Sequence, residues 1–163
     1  MSDQTVLPEL QVGIILRERA CTISTAESCT GGLIAHRLTN ISGSSAYVMG
    51  AVVVYSNEIK QAVLHVREDT LIEFGAVSEP VARQMAANCR ALFGTDYALS
   101  VTGIAGPGGG SAEKPVGLTY IGCAAPDGRV VVQRFIWEGD REANKASSAD
   151  AALNLLLELM ASA

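Results

Sequence analysis

The sequence has no run of about 20 uninterrupted apolar residues, the length a membrane-spanning helix needs. Nor does Met1 to Gln11 lead from a basic stretch into an apolar one, as an export signal does. A cytoplasmic protein without a membrane partner is therefore expected. Cysteine is present but unpaired in pattern: positions 21, 29, 89 and 123 form no C-x-x-C, and only His36 and His65 are available to join them. That spacing suggests neither a zinc site nor a disulfide framework, and it leaves Cys21, Cys89 and Cys123 as thiols packed like small apolar groups. Basic clusters are missing too. With 12 Lys and Arg against 17 Asp and Glu, a net charge of −5, the chain lacks the cationic surface that releases counterions from a nucleic-acid backbone. A single small anion is a different matter, because a few N–H groups and one or two cations suffice to hold it. Internal repeats and low-complexity linkers are also absent, and 163 residues, 48% of them hydrophobic, are enough for one well-filled domain and too few for two ordinary ones. Residues 1–163 read as a single domain.

What is present alternates in period. Leu7 to Arg19 carries Leu7, Leu10 and Ile14 at helical spacing, Cys21 to Ala26 reads as a short strand, and Thr30 to Asn40 returns to helical spacing through Leu33, Ile34 and Leu38. The continuous β-branched run in Tyr47 to Tyr55 predicts a strand covered on both faces. Asn57 to Leu64 predicts a short helix, Arg67 to Gly75 a polar connection with room for one turn, and Glu79 to Phe93 an amphipathic helix opened by Ser78 and Pro80. Tyr97 to Thr102 is a further strand, and Val116 to Ala124 with Val130 to Trp137 form an antiparallel pair across Pro126-Asp127-Gly128-Arg129. The helix from about Arg141 to Met160 covers the sheet with Ala149, Leu153, Leu156, Leu157 and Met160, and its Ala/Leu-rich length offers a surface for homo-oligomer formation. The fold class expected is α/β, a three-layer α/β/α sandwich with a mixed, mainly parallel five-stranded sheet. Strand order does not follow from the pattern.

Three polar groupings fall at carboxyl ends of strands, where open α/β sheets collect ligands. In Thr25-Ala26-Glu27-Ser28-Cys29-Thr30-Gly31-Gly32, Ser28 stands before a helix start whose free N–H groups can hold an oxyanion; a plain helix cap is the structural alternative. In Tyr55-Ser56-Asn57-Glu58-Ile59-Lys60, Lys60 sits in a first helical turn that disfavours the ammonium form, so a partly buried Lys60 is a general base for a hydroxyl; a solvated lysine is the alternative. In Ser100 to Ser111 five glycines within eight residues, Gly103 to Gly110, let successive N–H groups point into one concavity, without the pattern of a Walker A loop or a dinucleotide fingerprint. A flexible surface loop is the competing reading there.

Taken together, AESCTGG at 26–32, YSNEIK at 55–60, GAVSEPVA at 75–82 and TGIAGPGGGSAEKPVG at 102–117 resemble the C-terminal domain of the competence/damage-inducible protein CinA, from about Val12 to Leu157. The resemblance implies a nicotinamide-nucleotide amidase with no metal or other cofactor, converting nicotinamide mononucleotide to nicotinic acid mononucleotide and ammonia. It puts the nucleophile on Ser28, the base on Lys60 and a proton-orienting tyrosine on Tyr55. Backbone groups of Cys29, Thr30 and Gly31 then face the oxyanion, and Thr102, Gly103, Gly106, Gly109, Gly110 and Arg141 bind the rest of the substrate. Larger CinA proteins carry a further N-terminal domain, and the chain is expected to hold only the amidase unit. Where the family commonly has a second arginine four residues after Arg141, this chain has Lys145, which keeps the charge and loses the forked grip on phosphate. Two rivals stand beside this reading: Cys29 as nucleophile, and a non-catalytic module that binds a phosphorylated metabolite through the glycine loop.

Overall fold

The computed structural model describes residues 6–163; the first five residues of the single-domain reading lie outside it. The elements are α1 (Pro8–Glu18), β1 (Ile23–Glu27), α2 (Leu33–Thr39), β2 (Val48–Val53), α3 (Asn57–Leu64), α4 (Glu68–Phe74), α5 (Glu79–Phe93), β3 (Tyr97–Gly103), β4 (Leu118–Ala124), β5 (Val130–Ile136) and α6 (Arg141–Ala161), with a short 3-10 turn at Ser44–Ala46. Five strands form one sheet in the order β2-β1-β3-β4-β5. β1 pairs in parallel with β2 and β3, while β4 runs antiparallel to both β3 and β5, so β4 alone opposes the common direction.

Two cores flank the sheet. Val12 and Leu16 of α1, Ile34 and Leu38 of α2, and Leu153, Leu156 and Met160 of α6 pack on one face. Leu64 of α3, Leu71 of α4, and Val81, Met85 and Cys89 of α5 pack on the other. Layers form because each strand bears apolar side chains on alternate faces and each helix has one stripe to bury against them. Among the described residues no helix is long and apolar enough to cross a membrane.

Three local expectations change. Leu7, Leu10 and Ile14 lie on the outer side of α1 at 57%, 39% and 49% exposure, while Val12 and Leu16 are buried. The helix carries two apolar stripes, and Gly13 decides between them: a Cβ there would stand 2.4 Å from the hydroxyl of buried Tyr47, so only glycine lets that face approach. β2 is an edge strand whose burial alternates, with Met49 and Val53 each 48% exposed, rather than a strand covered on both sides. Its β-branched run is one that sequence alone cannot tell from a central strand. Arg67 to Gly75 holds a true two-turn helix, α4; it buries only Thr70 and Leu71, too little for a periodic signal. α6 lays Ala149, Leu153, Leu156 and Met160 against the sheet, as its periodicity predicts.

Candidate active site

The carboxyl ends of β1, β2 and β3 are side by side, so residues that follow each strand converge although they are far apart in sequence. Ser28 follows β1, Lys60 follows β2 in the first turn of α3, and the glycine loop follows β3. A cavity of about 270 Å³ is lined by Ser28, Cys29, Tyr55, Lys60, the segment Thr102 to Gly106, Gly108, Gly109 and Arg141.

The Ser28 turn is built from below by Glu27. This carboxylate is fully buried at the end of β1 and accepts from the Thr30 hydroxyl at 2.7 Å and the N–H groups of Ile34 and Ala35 at 2.8 and 3.0 Å. A carboxylate in front of a helix N-terminus satisfies donors that have no partner in the helix. Because Glu27 takes the cap, α2 begins at Leu33 rather than Thr30, and Ser28 is not the cap of that helix. Its N–H donates to the Val101 carbonyl at 3.0 Å, and its carbonyl accepts the Gly31 N–H at 3.0 Å. Gly31 and Gly32, with φ of +62° and +101°, complete the turn in a region that L side chains avoid. The Gly31 N–H is thus spent on the turn, and the N–H groups of Cys29 and Thr30 are left without a partner among the described residues.

Lys60 is 1% exposed, which removes the solvated alternative. Ser56 caps α3 by accepting the Ile59 N–H at 3.2 Å, and this fixes Lys60 one turn in. Its Nζ stands 3.1 Å from Ser28 Oγ and 3.0 Å from each of the Val54 and Tyr55 carbonyl oxygens. Burial holds its proton affinity below that of an ordinary lysine, with the Cys29 thiol acting weakly in the other direction. A neutral amine has two hydrogens and one lone pair. The two carbonyls take the hydrogens, and the lone pair is left for the Ser28 O–H.

The other expected residues divide. Tyr55 lines the cavity, but its side chain is 63% exposed and its hydroxyl accepts from Arg141 Nη2 at 3.3 Å. Only its main-chain carbonyl touches Lys60, so the phenol is not in the position expected of a proton relay. Thr102 and Gly103 line the cavity, and the Thr102 hydroxyl donates to Ala76 O at 2.8 Å. Gly106 and Gly109, at φ +85° and +88°, line it as well. Gly110 does not: a Cβ there would meet Val116 N at 2.7 Å, so it packs against the return of the loop. The Thr30 side chain is turned to Glu27, and Thr30 and Gly31 border a neighbouring depression of about 670 Å³ that shares Arg141 and contains Lys145. Neither Arg141 nor Lys145 forms an ion pair with a carboxylate among the described residues. Two residues escaped the sequence reading. Glu27 lay inside a motif already singled out and was visible as an acid just before a helix start, whereas Asn144, whose amide nitrogen donates to the Ala105 carbonyl of the glycine loop, gave no signal.

Cys29 is 8% exposed, and burial pushes its thiol up to about 11. A thiol in that state is a poor source of thiolate at neutral pH. Cys29→Ala is accordingly expected to keep activity close to that of the parent in any turnover assay, and a loss as deep as that of Ser28→Ala would make the thiol the nucleophile.

A sequence model of the CinA C-terminal domain matches residues 7–160. The chain belongs to this family. Among CinA relatives, a CinA-like protein of Chloroherpeton thalassium is 52% identical over 155 residues, which are 93% of this chain and 37% of that protein. A putative competence-damage inducible protein of Moorella thermoacetica is 52% identical over 148 residues, 91% of this chain and 36% of that protein. The chain thus spans little more than a third of the length of these CinA relatives. Solved structures agree along the whole domain. The competence/damage inducible protein CihA from Agrobacterium tumefaciens has a TM-score of 0.92 at 42% identity, with 93% of each chain covered. A CinA superfamily protein from Klebsiella pneumoniae has a TM-score of 0.92 at 35% identity, covering 96% of this chain and 97% of that one.

Proposed function

We propose that this CinA domain is a cytoplasmic amidohydrolase that hydrolyses the carboxamide of nicotinamide mononucleotide through a serine acyl-enzyme. One observation carries the proposal: a fully buried amine, ion-paired to no carboxylate among the described residues, whose nitrogen is 3.1 Å from the Ser28 hydroxyl on the wall of a cavity. Desolvating a lysine is unfavourable, and a protein that only binds metabolites has no use for it next to a hydroxyl. In the proposed sequence, Lys60 takes the Ser28 proton as Oγ bonds to the carboxamide carbon, and the N–H groups of Cys29 and Thr30 stabilise the oxyanion. Collapse breaks the C–N bond, and the Lys60 ammonium returns its proton to the leaving nitrogen, releasing ammonia. Water, deprotonated by the same amine, then cleaves the ester to give the acid and restore the Ser28 hydroxyl. The glycine loop and Arg141, which forms no ion pair among the described residues, hold the phosphate.

Ammonia release from nicotinamide mononucleotide, with free nicotinamide as control, tests the reading. Turnover of the nucleotide and little of the free base is expected; no turnover of either overturns it. Because the base must be uncharged, the rate should fall on the acid side as Lys60 takes up a proton, with an apparent midpoint below the 10.5 of ordinary lysine. Linkage gives the matching effect on stability. Between the lowered folded value and 10.5, the unfolded chain binds one proton more, so this residue contributes stability that rises with pH. The stability difference between Lys60→Met and the parent, measured by denaturant unfolding at several pH values, should therefore shift in favour of the parent as pH climbs through that window.

A further inference from the structure

The first turn of α6 is tied to the glycine loop by Asn144, which is 2% exposed. Its amide nitrogen donates to the Ala105 carbonyl at 3.0 Å, and its amide oxygen accepts the Gly139 N–H at 3.0 Å. The carbonyl can only accept and the N–H can only donate, so the orientation of the carboxamide is fixed by its partners. Arg141, one turn earlier, donates to the next carbonyl, Gly106 O, at 2.8 Å.

These bonds decide where the loop's donors point. The Ala105–Gly106 peptide is trans, so its C=O and N–H face opposite ways. Drawing the Ala105 oxygen to Asn144 turns the Gly106 N–H away from that side chain. Among the described residues this N–H has no hydrogen-bond partner, and both Ala105 and Gly106 line the cavity that holds Ser28. Pro107 brings no N–H of its own. Position 106 also admits no side chain: its φ is +85°, and a Cβ there would stand 2.4 Å from Val116 Cγ1, so Val116 packs directly against the glycine.

We propose that Asn144 is a positioning residue for substrate: it locks the Ala105–Gly106 peptide so that the Gly106 N–H donates to the anionic, non-reacting end of a phosphorylated ligand. The inference rests on the glycine loop being the seat of that anion, and not on the chemistry at Ser28. Asn144→Asp separates the two bonds, since the carboxylate still accepts from Gly139 N–H but sets a negative oxygen against the Ala105 carbonyl.

The test is calorimetric titration of nicotinic acid mononucleotide and of the corresponding unphosphorylated riboside, neither of which is turned over by an amidase. Asn144→Asp should raise Kd for the mononucleotide about tenfold, the loss expected for one charge-assisted hydrogen bond, and change riboside binding less than about twofold. Trp137, the only tryptophan, reports on the helix itself, because its Nε1 donates to Ser148 Oγ at 3.0 Å and that hydroxyl donates to Asn144 O at 2.8 Å. Its emission should not move. Should Asn144→Asp fail to fold, Asn144→Ala carries the same expectation without adding a charge. Mononucleotide binding within about twofold of the parent overturns the proposal, as does equal weakening for both ligands, a shifted Trp137 emission, or a parent protein that does not bind the mononucleotide. In turnover, the loss should appear in KM rather than kcat. If the parent releases no ammonia and Asn144→Asp still weakens the mononucleotide tenfold, the amidase reading falls and this one stands.

Discussion

Ser28→Ala and Lys60→Met are each expected to take ammonia release from nicotinamide mononucleotide to background without unfolding the protein. The hydroxyl stands 3.1 Å from the Lys60 amine on the cavity wall, and burial lowers that amine's proton affinity, as the proposed base requires. Removing a nucleophile that forms the covalent intermediate lowers kcat by on the order of 10⁶, and removing a general base by about 10²–10⁴. Because the two groups act as one unit, the double variant should be hardly worse than Ser28→Ala alone. Folding survives for different reasons. Ser28→Ala leaves Lys60 its two carbonyl partners, whereas Lys60→Met leaves those carbonyls bare and at the same time abolishes the cost of burying an amine. Circular dichroism and ammonia release measured on the same samples check both halves. A folded variant at either position with full turnover ends the serine-lysine mechanism.

Glu27→Ala should be the most damaging substitution for stability near the site. Its carboxylate is fully buried and answers four donors, the Thr25 and Thr30 hydroxyls and the N–H groups of Ile34 and Ala35. Alanine leaves all four without this acceptor, three of them on buried residues, and a single orphaned buried donor costs about 1–3 kcal/mol. A loss of about 3 kcal/mol or more lowers Tm by roughly 6–12 °C for a domain of this size. Activity should fall beyond the unfolded fraction, because the turn that aims Ser28 is hung on the same carboxylate. Glu27→Gln should fall between, as one oxygen still accepts while the amide N–H₂ faces another donor. Thermal unfolding with ammonia release at 25 °C separates the two effects; an unchanged Tm in Glu27→Ala would deny the carboxylate its capping role.

The sequence carried the outline of the site better than its detail, and the reasons lie in particular residues. Ser28, Lys60 and the glycine loop were legible as polar groupings at strand ends, since strand ends can be read from period alone. Their meeting was not legible, because it depends on the order β2-β1-β3, which no local pattern encodes. The same holds for Lys60: only the neighbouring strands show that its amine is enclosed rather than wet. Tyr55 misleads for the opposite reason. Its position in the motif was right, but its side chain projects to Arg141 and its contribution to Lys60 comes from the main chain, where residue type leaves no trace. Helix capping by Glu27 shifted the start of α2 by three residues, and a two-turn α4 with two buried residues offered too short a pattern to register. The choice of stripe on α1 turned on a contact between Gly13 and Tyr47, 34 positions apart.

α6 has a place in time as well as in space. It supplies Arg141 to the cavity, Asn144 to the loop that walls it, and a large share of one of the two cores, yet of all the elements that build the pocket it is the last to leave the ribosome. A nascent chain that has completed β5 already owns its serine and its lysine, but its glycine loop has nothing to grip. On the proposed reading, ligand recognition is thereby deferred until translation has passed α6, and a chain cut short before it holds Ser28 and Lys60 without the contacts that anchor the loop beside them.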